Sequence, residues 1–313
     1  MANFLEQQQE IRALGSRLEL LARQVVEGFI VGMHRSPFHG FSVEFAEHRL
    51  YNKGESTRNI DWKVYARTDK LFVKRYEEET NLRCQIVVDA SSTMYYPWEA
   101  RNPNKYKYAN KFCFAAQSAA ALMYALKRQR DAFGLTLFDD AIRINTVCKS
   151  TTQHYQQLLT FLAERIETPQ LNRATDVAST LHHIADSIHR RSLVVLFTDV
   201  VERPAEADKI FSALQHLKHN KHEVIFFHVS DKVHELDFEF ENRPYLFVDM
   251  ETGEEVRLQP AEVKAFYTKQ VRHFIEQLRL RCLQYHIDFM EADINRGFVP
   301  VLETWMAKRA RMG

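Results

Sequence analysis

Glycine is scarce in this chain, at 9 of 313 residues, and proline nearly as scarce at 8. Flexible linkers and glycine-rich phosphate loops therefore have little to be built from. The four cysteines, Cys84, Cys113, Cys148 and Cys282, are widely spaced with no CxxC pair. That argues against a zinc knuckle and suits a reducing compartment with buried or idle thiols. Charge of one sign is lacking too: 42 Lys and Arg against 41 Asp and Glu leave a net charge of +1. No global field draws in nucleic acid or an acidic membrane, and the local cluster at Lys308, Arg309 and Arg311 reads as a solvated helix end. No apolar run approaches the ~20 residues that a membrane helix needs. The N-terminus, rich in Gln and Glu, has neither the basic nor the apolar region of a signal peptide. The chain is expected to be cytoplasmic, without membrane insertion and without nucleic-acid binding. Nucleophile elbow, P-loop and dinucleotide fingerprint are all missing.

What is present is an ordinary globular composition, 45% apolar and 27% charged, over a length ample for a buried core. Leu5, Ile11, Leu14, Leu18, Leu21, Val25 and Phe29 recur at helical spacing and predict one amphipathic N-terminal helix, loosened at Gly15. From His34 to Glu79 the chain is dense in charged and aromatic residues, with short strands expected at 41–45 and 71–76. After residue 80 the rhythm changes to short apolar runs alternating with amphipathic helices. Strands are expected at 85–88, 134–138, 141–147, 192–197, 223–228 and 287–290. Helices are expected at 106–128, 153–167, 176–188, 205–217 and 261–284, with a hairpin around Gly253 and a last helix from Val299. This alternation predicts an α/β fold, a doubly wound, mostly parallel sheet with helices on both faces. The expected organisation is an N-terminal helical and irregular arm over 1–80, packed on a main domain over 81–313.

Two apolar runs end alike, Ile86-Val87-Val88-Asp89 and Val195-Leu196-Phe197-Thr198-Asp199. In a doubly wound sheet both aspartates fall on the ligand-binding rim beyond the carboxyl ends of the strands. Ser91 and Thr93 follow the first at alternate positions, and Thr175-Asp176 stands at a loop-to-helix boundary between the two acidic strands. Asp89 alone could equally cap the next helix, and Thr175 with Asp176 could do the same for theirs.

The set resembles the metal-ion-dependent adhesion site of von Willebrand factor A domains, whose first motif is Asp-x-Ser-x-Ser. Asp89, Ser91 and Thr93 match it, with Thr in place of the last Ser. Thr175 matches the threonine of the second loop, and Asp199 the aspartate closing the fourth strand. The resemblance implies that Ser91, Thr93 and Thr175 bind Mg²⁺ (or Mn²⁺ or Ca²⁺) directly. Asp89 and Asp199 would hold coordinated waters from behind. A hard cation with oxygen ligands and few direct anions has a place left for an incoming Glu or Asp. Such a site binds a protein partner and needs neither a general base nor a nucleophile.

A second resemblance covers nearly the whole chain. Gly40 to Phe45 with Glu44, then Arg49, Tyr51, Gly54, Arg58, Ile60-Asp61-Trp62 and Ala66-Arg67, with Lys74 and Glu78, look like the signature of the bacterial family catalogued as domain of unknown function 58. The stretch 248–254 and the long helix after it look familial too. Members join this signature to a von Willebrand factor A-like domain and usually accompany MoxR-type AAA+ ATPases. This chain would be a short, soluble form. Glu44, Arg49, Arg58, Asp61, Trp62 and Arg67 read either as a structural charged network or as a docking surface.

The expected function is therefore a non-catalytic, metal-dependent protein-interaction module, an adaptor for a MoxR-type ATPase in protein maturation or complex assembly. The alternative is a Mg²⁺-dependent phosphohydrolase with Asp89 as nucleophile. Ser91 stands where haloacid-dehalogenase-type phosphatases carry a second Asp, which removes the expected acid-base group. His219, His222, His228 and His234 read as separate surface residues, not as a metal cluster.

Overall fold

The computed structural model describes residues 2–32, 47–50, 62–68, 71–75, 82–99, 102, 104–200, 204–299 and 302–303. Glu44, Arg58 and Asp61, the strand expected at 41–45, the basic cluster at Lys308, Arg309 and Arg311, and most of the last helix lie outside these residues. The chain divides into two compact units, Met1–Phe38 with Arg83–Gly313, and His39–Leu82. The N-terminal helix thus falls in the larger unit, whereas the sequence reading groups it with the signature arm.

In the smaller unit β1 (Glu47–Leu50) pairs antiparallel with β2 (Phe72–Arg75), Arg49 lying opposite Val73. Helix α2 (Trp62–Thr68) carries Trp62 at its first position and Arg67 in its last turn, where a cation suits the helix dipole. Both side chains are exposed. The Trp62 ring stands edge-on to Tyr65 at 6.1 Å.

The larger unit is built on six strands: β3 (Arg83–Asp89), β4 (Ala132–Phe138), β5 (Ile142–Asn145), β6 (Leu193–Thr198), β7 (Glu223–Ser230) and β10 (Asp288–Asp293). Their spatial order is β10-β7-β6-β3-β4-β5. All neighbours are parallel except the edge strand β5, which returns antiparallel on β4. The central runs are apolar throughout because both faces are covered. Val87, Val194, Leu196, Val224 and Phe226 pack with Leu181 and Ile184 of α5 (Val177–Ser187), Ile210 and Leu214 of α6 (Pro204–His219), and Leu278 of α7 (Pro260–Gln284). Ile86 and Val88 alternate to the opposite face, where α3 (Lys111–Arg128) lies on β3 and β4 beside α4 (Thr152–Glu167).

Helix α1 (Ala2–Gly32) runs unbroken through Gly15 and packs on α3 and α4 as a further layer. It buries Ile11, Leu14, Leu18, Ala22 and Val26, spaced three and four residues apart. The helix expected from residue 106 begins instead at Lys111. Asn110 fixes its start by accepting a hydrogen bond from the Cys113 amide at 2.8 Å. A hairpin of β8 (Tyr245–Val248) and β9 (Glu255–Leu258) turns through Gly253, whose φ of +76° is the left-handed region that glycine enters freely.

Two histidines depart from the expected surface placement. His222 and His228 are buried, each with one ring nitrogen bonded to the backbone. His222 Nδ1 accepts from the Ser192 amide at 3.2 Å, and His228 Nε2 bonds the Val200 carbonyl at 3.1 Å. Burial holds both imidazoles below their ordinary pKa.

Candidate cation site at the carboxyl edge of the sheet

Chain order reverses between β3 and β6. The crossover from β3 passes through α3 to β4, and that from β6 passes through α6 to β7 on the other side. A crevice opens where two such connections diverge, beyond the carboxyl ends of the strands. Asp89 closes β3, and Thr198-Asp199 closes β6. Register puts Val88 beside Phe197, so both acidic termini reach the same edge.

The loop after β3 turns at once into a short 3-10 turn, Ser92–Tyr95. Ser91 N donates to Asp89 Oδ1 at 2.9 Å, a local turn that points the following hydroxyls back over the strand end. The loop before α5 is stapled to it from both sides. Ser92 N donates to the Arg173 carbonyl at 2.9 Å, and Arg173 N donates to Ser92 Oγ at 2.7 Å. Thr175 is thereby delivered to the site, while Asp176 caps α5 through the Ser179 amide at 2.9 Å. The two roles that the sequence left open for Thr175-Asp176 are split between the two residues.

All five candidate ligating residues converge. Thr175 Oγ1 donates to Asp89 Oδ2 at 3.0 Å, across 86 residues of chain, and Thr93 Oγ1 donates to Asp199 Oδ1 at 3.2 Å. Ser91 Oγ and Thr93 Oγ1 lie 3.2 Å apart. Asp89 is more than a helix cap, since donors reach it from the loop after β3, the loop before α5 and the end of β6.

Sequence reasoning missed two members. Thr198 Oγ1 donates to Asp89 Oδ2 at 2.7 Å, filling the carboxylate's remaining side. Lys111, almost wholly buried at the start of α3, places Nζ 2.6 Å from Asp199 Oδ2 and also bonds Glu235, which sits in the turn Lys232–Leu236 after β7. A signal existed for the lysine. It is a cation in the first turn of an otherwise apolar helix, where the dipole disfavours it.

The electrostatics are unbalanced at Asp89. The three donors named above are all neutral. Burial, with the nearby charge of Asp199, pushes its pKa up to about 6. A fully buried carboxylate lacking a countercharge either holds its proton more tightly or is offset by a cation. The hydroxyls fit one as well, since adjacent oxygens around Mg²⁺ at ~2.1 Å lie about 3 Å apart, close to the Ser91–Thr93 separation. Among the described residues no group of three or more His, Cys, Asp and Glu is arranged to hold a metal ion. A cation at this edge would therefore rest on hydroxyl and water oxygens.

The family model described as protein of unknown function DUF58 matches residues 47–276, well over half of the chain. The chain belongs to this family. Uncharacterized proteins of Mycobacterium tuberculosis and Mycobacterium bovis are each 25% identical to it over 182 residues, 58% of this chain and 55% of theirs. The match thus spans about half the length of these relatives. Among solved structures, the conserved hypothetical protein BatB from Bacteroides thetaiotaomicron aligns over 74% of this chain and 99% of its own, with 12% identity and a TM-score of 0.45. The VWA domain of SpRpn10 aligns over 49% and 77%, with 14% identity and a TM-score of 0.33. The DUF58 chain has a mixed, mostly parallel six-stranded sheet, and no helix among its described residues is long and apolar enough to cross a membrane.

Proposed function

We propose that this chain is a protein-interaction module that captures an acidic side chain of its partner through a divalent cation. The resemblance of Asp89, Ser91 and Thr93, with Thr175 and Asp199, to the adhesion site of von Willebrand factor A domains supports the coarse reading, an interaction module. The finer reading rests on one observation: a buried, uncompensated Asp89 accepts only neutral donors, the Ser91 amide and the Thr175 and Thr198 hydroxyls. Ser91, Thr93 and Thr175 would hold Mg²⁺ directly, with Asp89 and Asp199 behind them. Bound there, the cation would supply an electrophilic position for a Glu or Asp carboxylate. The chain's own residues orient the hydroxyls and shield the aspartates from water. A MoxR-type AAA+ ATPase is the partner we put forward.

The phosphohydrolase reading has less support. A nucleophilic aspartate needs an oxygen open to phosphorus, whereas Asp89 is fully buried with donors on both oxygens.

Pull-down from a bacterial extract, with Mg²⁺ or with a chelator, tests the proposal. Partners carrying a required acidic residue should be retained only with Mg²⁺ and lost with Asp89→Ala or Thr175→Ala in a folded protein. Equal recovery in both conditions contradicts it, and Asp89-dependent turnover of a phosphate ester would favour the enzyme.

A further inference from the structure

We propose that Lys111 is a tethered cation that sets the charge of this site, making it select a divalent ion together with an anionic ligand. The inference rests on the cation-site reading and adds a specificity-determining residue to it. Burying an ammonium is costly unless anions pay for it directly, and here two do. Lys111 Nζ ion-pairs with Asp199 Oδ2 at 2.6 Å and with Glu235. The Tyr96 ring closes over it, with Nζ 5.7 Å from the ring centroid. Asp199 is therefore shared: Oδ1 accepts from Thr93 on the hydroxyl side, and Oδ2 faces the lysine. No helix geometry demands this lysine, which opposes the dipole at its position.

The consequence is a matter of charge count. Asp89, Asp199 and Glu235 carry three negative charges and Lys111 one positive. A divalent cation brings this cluster to neutrality, so an arriving carboxylate meets no net repulsion. Without Lys111 the loaded cluster keeps one negative charge, which holds the metal harder and repels the carboxylate. Neighbouring acids do not alter the comparison. Asp139 is matched by Arg143 and Arg165, and Asp231 is held by His234 and Asn295, in every variant alike. Lys111 thus trades metal affinity for ligand affinity.

The trade gives effects of opposite sign, which loss of folding does not. Mn²⁺ binding is read by electron paramagnetic resonance of the free ion. Acetate, as the carboxylate probe, is read by the water-proton relaxivity lost when it displaces water from bound Mn²⁺. At pH 8, K111M should bind Mn²⁺ at least about tenfold tighter and acetate correspondingly more weakly. E235Q, which leaves the lysine in excess, should do the reverse and guards against failure of K111M to fold. K111M/E235Q restores the charge count and should return both constants to within about threefold of the parent. Metal and acetate affinities moving together, or E235Q leaving both unchanged, would overturn the inference alone. A parent protein that binds no Mn²⁺ would overturn the cation site itself.

Discussion

At the scale of single residues, the site is dominated by an aspartate held against its own preference. Asp89 has a pKa of about 6, against 3.8 for an ordinary aspartate. The folded state therefore binds this proton more tightly than the unfolded chain does. The group favours the fold below pH ~4, and that contribution, about 3 kcal/mol, is lost as pH rises through 6. A bound cation would offset the loss at higher pH, and protons would compete with it for the same carboxylate. Millimolar Mg²⁺ should therefore raise the melting temperature clearly at pH 7.5 and hardly at all at pH 5. Asp89→Asn should abolish the difference. A Mg²⁺ shift of equal size at both pH values would mean that Asp89 is not the linked group. The convergence of Asp89, Ser91, Thr93, Thr175 and Asp199 was legible in the sequence where chemistry and strand ends coincide. Thr198 stayed hidden because a threonine ending a strand looks like ordinary β-propensity. Lys111 is odd by its place in the first turn of α3, but its partners stayed hidden because they are 88 and 124 residues away.

At the scale of elements, placement of the acidic edge depends on how β3, β4 and β5 are drawn together. Gln85 of β3 donates through Nε2 to Thr136 Oγ1 at 2.8 Å, beneath a position on β4 that must be glycine. A Cβ on Gly134 would meet Gln85 Oε1 at 2.5 Å and the Thr146 carbonyl at 2.7 Å. Gly134→Ala should cost about 1–3 kcal/mol from this overpacking, read as a lower denaturant midpoint at unchanged m-value. A variant as stable as the parent would show that the strands part without penalty. Helix α1 was legible from its apolar stripe, and Leu18 lies at the centre of what it buries. Leu18→Ala should cost about 2–5 kcal/mol, measured the same way. A cost under about 0.5 kcal/mol, the range of an exposed substitution, would mean that α1 does not contribute to the core. The late start of α3 and the burial of His222 and His228 were not legible. Each depends on one distant or capping hydrogen bond and not on periodicity.

At the scale of the whole molecule, alternating strands and helices made the sheet readable, and right-handed crossovers did the rest. The strand order that creates the crevice follows from β5 turning back, which sends the chain across β3 to build β6, β7 and β10 on the far side. Asp89 and Asp199, 110 residues apart in the chain, meet for that reason. The division into units was less legible, since α1 belongs to the sheet unit although residues 39–82 separate them in the chain. The central claim, that three loops make one cradle for a hard cation, is open to direct observation. A crystal soaked in Mn²⁺ should give a single strong anomalous peak within about 2.5 Å of the Ser91, Thr93 and Thr175 hydroxyls. Well-ordered loops around that position with no peak, or a peak bound elsewhere, would contradict the account.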